Sequence, residues 1–122
     1  MLEDLLVFIR NLRDWKVKME KVLIICNAGM SSSVMAKKTT AFLQEKGHDI
    51  EIEATTAGAG GDVFKSDQYK LILISPQIRH KFDQFKNQAD ENGVNIAQIG
   101  FDAYAPIPSG IEKMANLVLE NL

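Results

Sequence analysis

The chain has 122 residues, 14 of them basic and 16 acidic, for a net charge of −2. That size fits one domain with a core that needs no staples, and the charge balance gives no electrostatic case for nucleic acid or an anionic membrane surface. The single cysteine excludes a disulfide within the chain and a tetrathiolate metal site, and it fits a reducing, cytosolic setting.

The opening stretch, Met1 to Asp14, sets Leu2, Leu5, Leu6 and Ile9 at helical spacing, with Glu3, Asp4, Arg10 and Arg13 between them. Its acidic head and lack of a small-residue cleavage site argue against a signal peptide. No apolar run reaches the roughly 20 residues that span a bilayer, so no direct membrane insertion is expected. After Lys21, Val22-Leu23-Ile24-Ile25 reads as a strand buried on both faces, ending at Cys26. Asn27-Ala28-Gly29-Met30 makes a turn, and Ser31-Ser32-Ser33 supplies candidates for the N-cap of a helix. That helix runs to about Lys46, with Met35, Thr39, Phe42 and Lys46 on one face, Ala36 and Leu43 beside it, and Gly47 closing it.

Asp49 to Ala54 alternates polar and apolar residues, the pattern of a half-buried strand. Ala57 to Gly61 reads as a flexible loop; it lacks the Lys-Ser/Thr of a phosphate loop and is taken as a connector. Asp62 to Ser66 is expected to form a short helical turn. Leu71-Ile72-Leu73-Ile74 is a second fully apolar strand, stopped by Ser75-Pro76. Ile78, Phe82, Phe85 and Ala89 mark a helix ending near Asn92-Gly93, Val94 to Ile99 a fourth strand, and Phe101 to Pro108 a loop. Ile111, Met114, Ala115, Val118 and Leu122 define a last amphipathic helix.

Strands alternating with helices predict an α/β domain with a four-stranded parallel open sheet of order 2-1-3-4 and helices on both faces. Its switch point lies beyond the carboxyl ends of strands 1 and 3, where Cys26 and Ser75-Pro76 stand. His48 and His80 are far apart in sequence and lack metal-ligand spacing. His80 reads as a solvated helix residue. No metal and no organic cofactor are expected.

A cysteine at a strand end is most often an inert core residue. The residues after Cys26 change that reading. The unpaired N–H groups of a helix N-terminus favour a thiolate and can receive phosphate oxygens. Ala28 and Gly29 keep side chains out of the way, so backbone amides can form an anion nest. The hydroxyls of Ser31, Ser32 and Ser33 add donors, with Ser31 and Ser33 favoured over Ser32. The placement is similar to that of low-molecular-weight tyrosine phosphatases, whose topology the expected fold resembles. Those enzymes use Cys-x5-Arg to clamp the phosphate, and the corresponding position here is Ser32. Without a bidentate arginine the loop suits receiving and handing on a phosphoryl group better than hydrolysing it.

The segment Lys21-Val22-Leu23-Ile24-Ile25-Cys26-Asn27-Ala28-Gly29-Met30-Ser31-Ser32-Ser33 resembles the active-site segment of the IIB component of the bacterial phosphoenolpyruvate-dependent sugar phosphotransferase system, lactose/cellobiose (chitobiose) type. Ser75-Pro76-Gln77-Ile78 is similar to that family's Gly-Pro-Gln-Ile/Val segment, with Ser where many members have Gly; the exchange is read as carrying no function. Asp102 and Tyr104 are similar to an Asp-x-x-x-Tyr stretch, at different spacing. The resemblance implies a phosphocysteine at Cys26, with Asn27, Ala28, Gly29, Met30, Ser31, Ser32 and Ser33 binding the phosphate and Gln77 and Tyr104 as partner or loop contacts. It implies a IIA phosphohistidine as donor. It also implies a membrane-embedded IIC permease holding the sugar acceptor, of the cellobiose, lactose or chitobiose class, and a cytoplasmic location. Residues 1–18 fall outside the pattern and read as an extension ahead of a domain spanning 19–122. A small cysteine-dependent phosphatase and a phosphate-binding module are the rival readings.

Overall fold

Four apolar residues in succession leave a strand with no face to show to water. The computed structural model, which describes residues 20–27, 30–57, 63–64 and 68–122, places Val22, Leu23, Ile24 and Ile25 at the centre of β1 (Glu20–Cys26), all buried. α1 (Met30–Glu45) follows, then β2 (Ile50–Thr56), β3 (Leu71–Ile74), a 3-10 segment (Pro76–Lys81), α2 (Phe82–Asn92), β4 (Asn95–Gln98), a 3-10 turn (Phe101–Ala103) and α3 (Pro108–Asn121). The strands pair in parallel in the order β2-β1-β3-β4, the expected sheet.

The pleat sends alternate residues to opposite faces. On one face Val22, Ile24, Leu71 and Leu73 pack with Met35 and Leu43 of α1 and Met114 and Val118 of α3. On the other, Leu23, Ile25, Ile72 and Ile74 pack with Phe64, Ile78 and the α2 residues Phe85 and Ala89. The rings of Phe64 and Phe85 stack with centroids 5.9 Å apart. Each fully buried aliphatic or aromatic side chain contributes about 1.5–3 kcal/mol relative to exposure, so these two layers supply most of the drive to fold.

α1 ends as its glycine foretells. Gly47 takes a left-handed φ of 86°. The His48 N–H donates to Leu43 O at 2.9 Å and the Gly47 N–H to Gln44 O at 3.0 Å, the paired bonds of a Schellman close. At Gly110, in the first turn of α3, the reason for glycine is space: a Cβ there would sit 2.2 Å from the Ala105 carbonyl oxygen.

Three local features depart from the sequence reading. The helix expected from Ile78 begins as the 3-10 segment, because Pro76 has no N–H to give and Ile78 takes φ −118°, ψ 26° to bury its side chain in the α2-side core. β2 runs on to Thr56, because β1 reaches Cys26 and pairs it there. Ser31, Ser32 and Ser33 lie inside the first turn of α1 rather than ahead of it as a cap. The expectations for residues 1–18, for Ala28 and Gly29, for the side chains of Met30 and Ser31, and for most of 57–66 lie outside the described residues; Val63 and Phe64 do form a helical turn.

Candidate functional site

Cys26 closes β1 at the switch point, with α1 leaving over one face of the sheet and the chain after β3 crossing to the other. Its register partner on β2 is Thr56. On β3 the strand pairing ends at Ile25 with Ile74. The Ser75 N–H continues the ladder by donating to Ile25 O at 2.9 Å, so Ser75 stands beside Cys26. The Ile99 N–H in turn donates to Ile74 O at 2.9 Å. Thr56, Cys26, Ser75 and Ile99 thus form one row across the carboxyl end of the sheet.

The cysteine is buried and in no disulfide. Its Sγ lies 3.4 Å from the Thr55 carbonyl oxygen, to which it donates, and 2.8 Å from Ser32 Oγ. Either atom can be the donor across the contact between sulfur and the Ser32 hydroxyl. Ser32 is 1% exposed. It belongs to the inward stripe of α1, three, four, seven and eleven residues before Met35, Ala36, Thr39 and Leu43, all buried. That periodicity places Ser32 on the inward face of α1, against the sulfur; the signal is present in the sequence as helical spacing. Ser33 and Asn27 are exposed.

The first turn of a helix presents N–H groups that have no intrahelical partner. Here that turn begins four residues after the thiol. A sulfur nucleophile, a hydroxyl donor and a helix N-terminus meet, which suits an anion on or beside sulfur. Gln77 is exposed just past Pro76 at the same end of the sheet. Tyr104 is half-buried and packs on the core layer beneath α1 and α3, its N–H donating to Phe101 O at 3.2 Å. His80 is exposed, in keeping with the solvated reading. No sequence pattern singles out Gln98. Its side-chain amide donates to Ile74 O, Ser75 O and Ile99 O at 3.0, 3.3 and 3.0 Å, bracing β3 and β4 where they end beside the row. Among the described residues no group of three or more His, Cys, Asp or Glu side chains is placed to hold a metal ion, and no helix is long and apolar enough to cross a membrane.

Comparison with known proteins agrees with this geometry. The family described as PTS system, lactose/cellobiose specific IIB subunit, matches residues 21–113. The oligo-beta-mannoside-specific EIIB component of Bacillus subtilis (strain 168) is 32% identical over 88 residues, covering 70% of this chain and 82% of that protein. The lactose-specific EIICB component of Streptococcus mutans is 27% identical over 77 residues; the match takes in 63% of this chain and 13% of that much longer protein. Two solved structures share the fold. The lactose-specific IIB component domain from Streptococcus pneumoniae superposes with a TM-score of 0.74 at 24% identity, covering 85% of this chain and 98% of that one. The cellobiose-specific IIB component from Borrelia burgdorferi gives 0.63 at 23% identity, covering 83% and 89%. With the matched stretch taking in β1, the cysteine loop and the whole sheet, the chain belongs to the PTS lactose/cellobiose-specific IIB family.

Proposed function

We propose that this chain is a phosphoryl carrier, taking a phosphoryl group onto Cys26 from a IIA phosphohistidine and giving it to a sugar held by a IIC permease at the cytoplasmic side of the membrane. The observation that carries the reading is the Cys26 sulfur at 2.8 Å from Ser32 Oγ, at a helix N-terminus on the switch point of the sheet. In the first step the thiolate attacks phosphorus, the S–P bond forms and the N–P bond to the donor imidazole breaks. In the second, a sugar hydroxyl attacks phosphorus, the S–P bond breaks, the thiolate leaves and the hydroxyl proton passes to a base outside this chain. The Ser32 hydroxyl and the first-turn amides of α1 steady the oxygens of the passing group in both steps. Asn27, Ala28, Gly29, Met30, Ser31 and Ser33 complete the loop around it, and Gln77 and Tyr104 belong to its rim.

A carrier serving two partners needs a docking surface of modest area, about 1,200 Å² or less. Phe101 is 68% exposed and Ile107 53% exposed, on the segments that follow β4 and precede α3 at this end of the sheet; Val34, near the start of α1, is 44% exposed. Lys38 of α1 donates to the Pro106 carbonyl at 3.4 Å, which holds α1 and the segment before α3 together. These apolar side chains are our candidates for the partner contact. The IIC partner is supported by the EIICB relatives, and a sugar of the β-glucoside, galactoside or related class by the family and relative names. Residues 19–122 would form the carrier unit, with residues 1–18 as an extension whose removal leaves folding and phosphorylation intact.

The test supplies phosphoenolpyruvate, enzyme I, the histidine carrier protein and a matching IIA, and weighs the intact chain. One added phosphate on the natural chain and none on Cys26→Ser is the expected result. No gain across several IIA partners overturns the proposal. Rapid turnover of an aryl phosphate by the isolated chain would favour the phosphatase reading instead.

A further inference from the structure

Buried hydroxyls are nearly always hydrogen-bonded. Ser75 is 0% exposed, and its Oγ has no partner among the described residues. The backbone of the same residue is fully engaged. Its N–H donates to Ile25 O, and its carbonyl accepts from the Ile78 N–H at 3.2 Å and from Gln98 Nε2 at 3.3 Å. The residue is therefore held firmly, with only its hydroxyl uncommitted. Thr39 also carries a buried hydroxyl without a partner among the described residues. It lies inside α1, where a threonine has its own preceding turn to bond. Ser75 has extended backbone, φ −67° and ψ 156°, and no such local acceptor.

The position of that hydroxyl matters. Leu71 and Leu73 face the core layer under α1 and α3, as do Val22 and Ile24. Continuing the alternation of both strands by one step puts the side chains of Ser75 and Cys26 on that same face. They are neighbours across a strand spacing of about 4.8 Å. Ser32 reaches the sulfur from α1, on the same face.

We infer that the Ser75 hydroxyl is a further binding group of the Cys26 site, donating to an oxygen of a phosphoryl group on or beside the Cys26 sulfur. The identity of that anion rests on the carrier reading. On this assignment α1 supplies Ser32 and the first-turn amides from one side, and β3 supplies Ser75 from the other.

The full chain, Ser75→Gly and Ser75→Ala are titrated with inorganic phosphate while the backbone amide resonances around Cys26 are followed by NMR. Both variants are expected to bind about 10- to 100-fold more weakly than the natural chain, the size of one lost hydrogen bond to a charged oxygen. Thermal midpoints are expected to stay level, which separates lost binding from lost folding. Affinities within twofold of the natural chain in both variants would overturn the inference, as would phosphate causing no shift near Cys26 in the natural chain. The carrier reading fails by a different sign, the absence of a phosphate mass gain from IIA, which leaves the phosphate titration untouched.

Discussion

The two ends of the sheet treat their polar groups in opposite ways. Toward the amino end, Tyr69 donates its hydroxyl to Glu53, whose other carboxylate oxygen lies 3.7 Å from the Lys21 ammonium. These groups are half-exposed and satisfy one another. At the carboxyl end, Cys26, Ser32 and Ser75 are all buried, and one of the hydroxyls has no partner among the described residues. The first arrangement fastens an edge strand to its neighbours. The second leaves a buried hydroxyl uncommitted beside the Cys26 thiol, the feature on which the proposed phosphoryl contact of Ser75 rests.

The largest effect expected is at the carboxyl end. Cys26→Ser should remove phosphate acceptance altogether in the mass assay, because a serine hydroxyl at neutral pH offers no comparable nucleophile without a base to activate it. Its fold should survive, since the new side chain is nearly the same size; circular dichroism checks this. Any phosphate gained by the variant at the natural rate would remove the carboxyl end from the chemistry.

Gly110→Ala comes next. A Cβ at 2.2 Å from a backbone oxygen forces the start of α3 away from the Ala105 segment. Overpacking of this kind costs about 1–3 kcal/mol, read as a lower urea midpoint. Because Ile107 and Pro106 lie on that segment, phosphoryl transfer from IIA should slow more than inorganic phosphate binding. An equal fall in both would mean that the segment bears on the loop rather than on a partner.

At the amino end the pH dependence is legible. Burial first, then the hydrogen bond and charge of Glu53 and the charge of Glu51, push the Tyr69 phenol up to about 12 from 10.0. The folded chain holds this proton where the unfolded chain has released it. The contribution is therefore full below about pH 10 and is lost as pH rises through about 12. Solvent access makes it smaller than the shift alone would suggest. Tyr69→Phe should lower stability by about 0.5–1.5 kcal/mol at pH 8, one hydrogen bond's worth. The gap from the natural chain should close between pH 10 and 12. A gap that stays constant over that range would mean that the phenol proton plays no part.

The parts of this molecule legible in its sequence are those that repeat locally. The apolar runs Val22–Ile25 and Leu71–Ile74 and the helical stripes between them fix strand, helix and order, because each pattern lies within one element. Gly47 announces the end of α1 for the same reason. Ser32 is within reach too, through its spacing from Met35 and Ala36. Ser75 is not, because its importance comes from standing beside Cys26 across a ladder joining residues 49 apart in sequence, as Ile25 and Ile74 are. The reach of Gln98 to Ser75 O and the closeness of Gly110 to Ala105 depend likewise on how chain segments approach one another.

The smallest expected effect is the most telling for the comparison of the two ends. Tyr69→Phe and Ser75→Ala each delete one hydroxyl from a residue packed against the sheet. At Tyr69 the deletion breaks a made bond and leaves a carboxylate oxygen to find water. At Ser75 it removes a buried donor with no partner among the described residues, so the resting protein loses no bond and sheds a desolvated polar group. Ser75→Ala should therefore unfold within about 0.5 kcal/mol of the natural chain, or slightly above it. With saturating phosphate present, the natural chain should gain more than the variant, since binding to the folded state alone adds stability in proportion to affinity. Denaturant midpoints measured with and without phosphate give both numbers. A clear loss of stability in the phosphate-free variant would show that the hydroxyl is already employed in holding the fold, and the contrast between the two ends of the sheet would vanish.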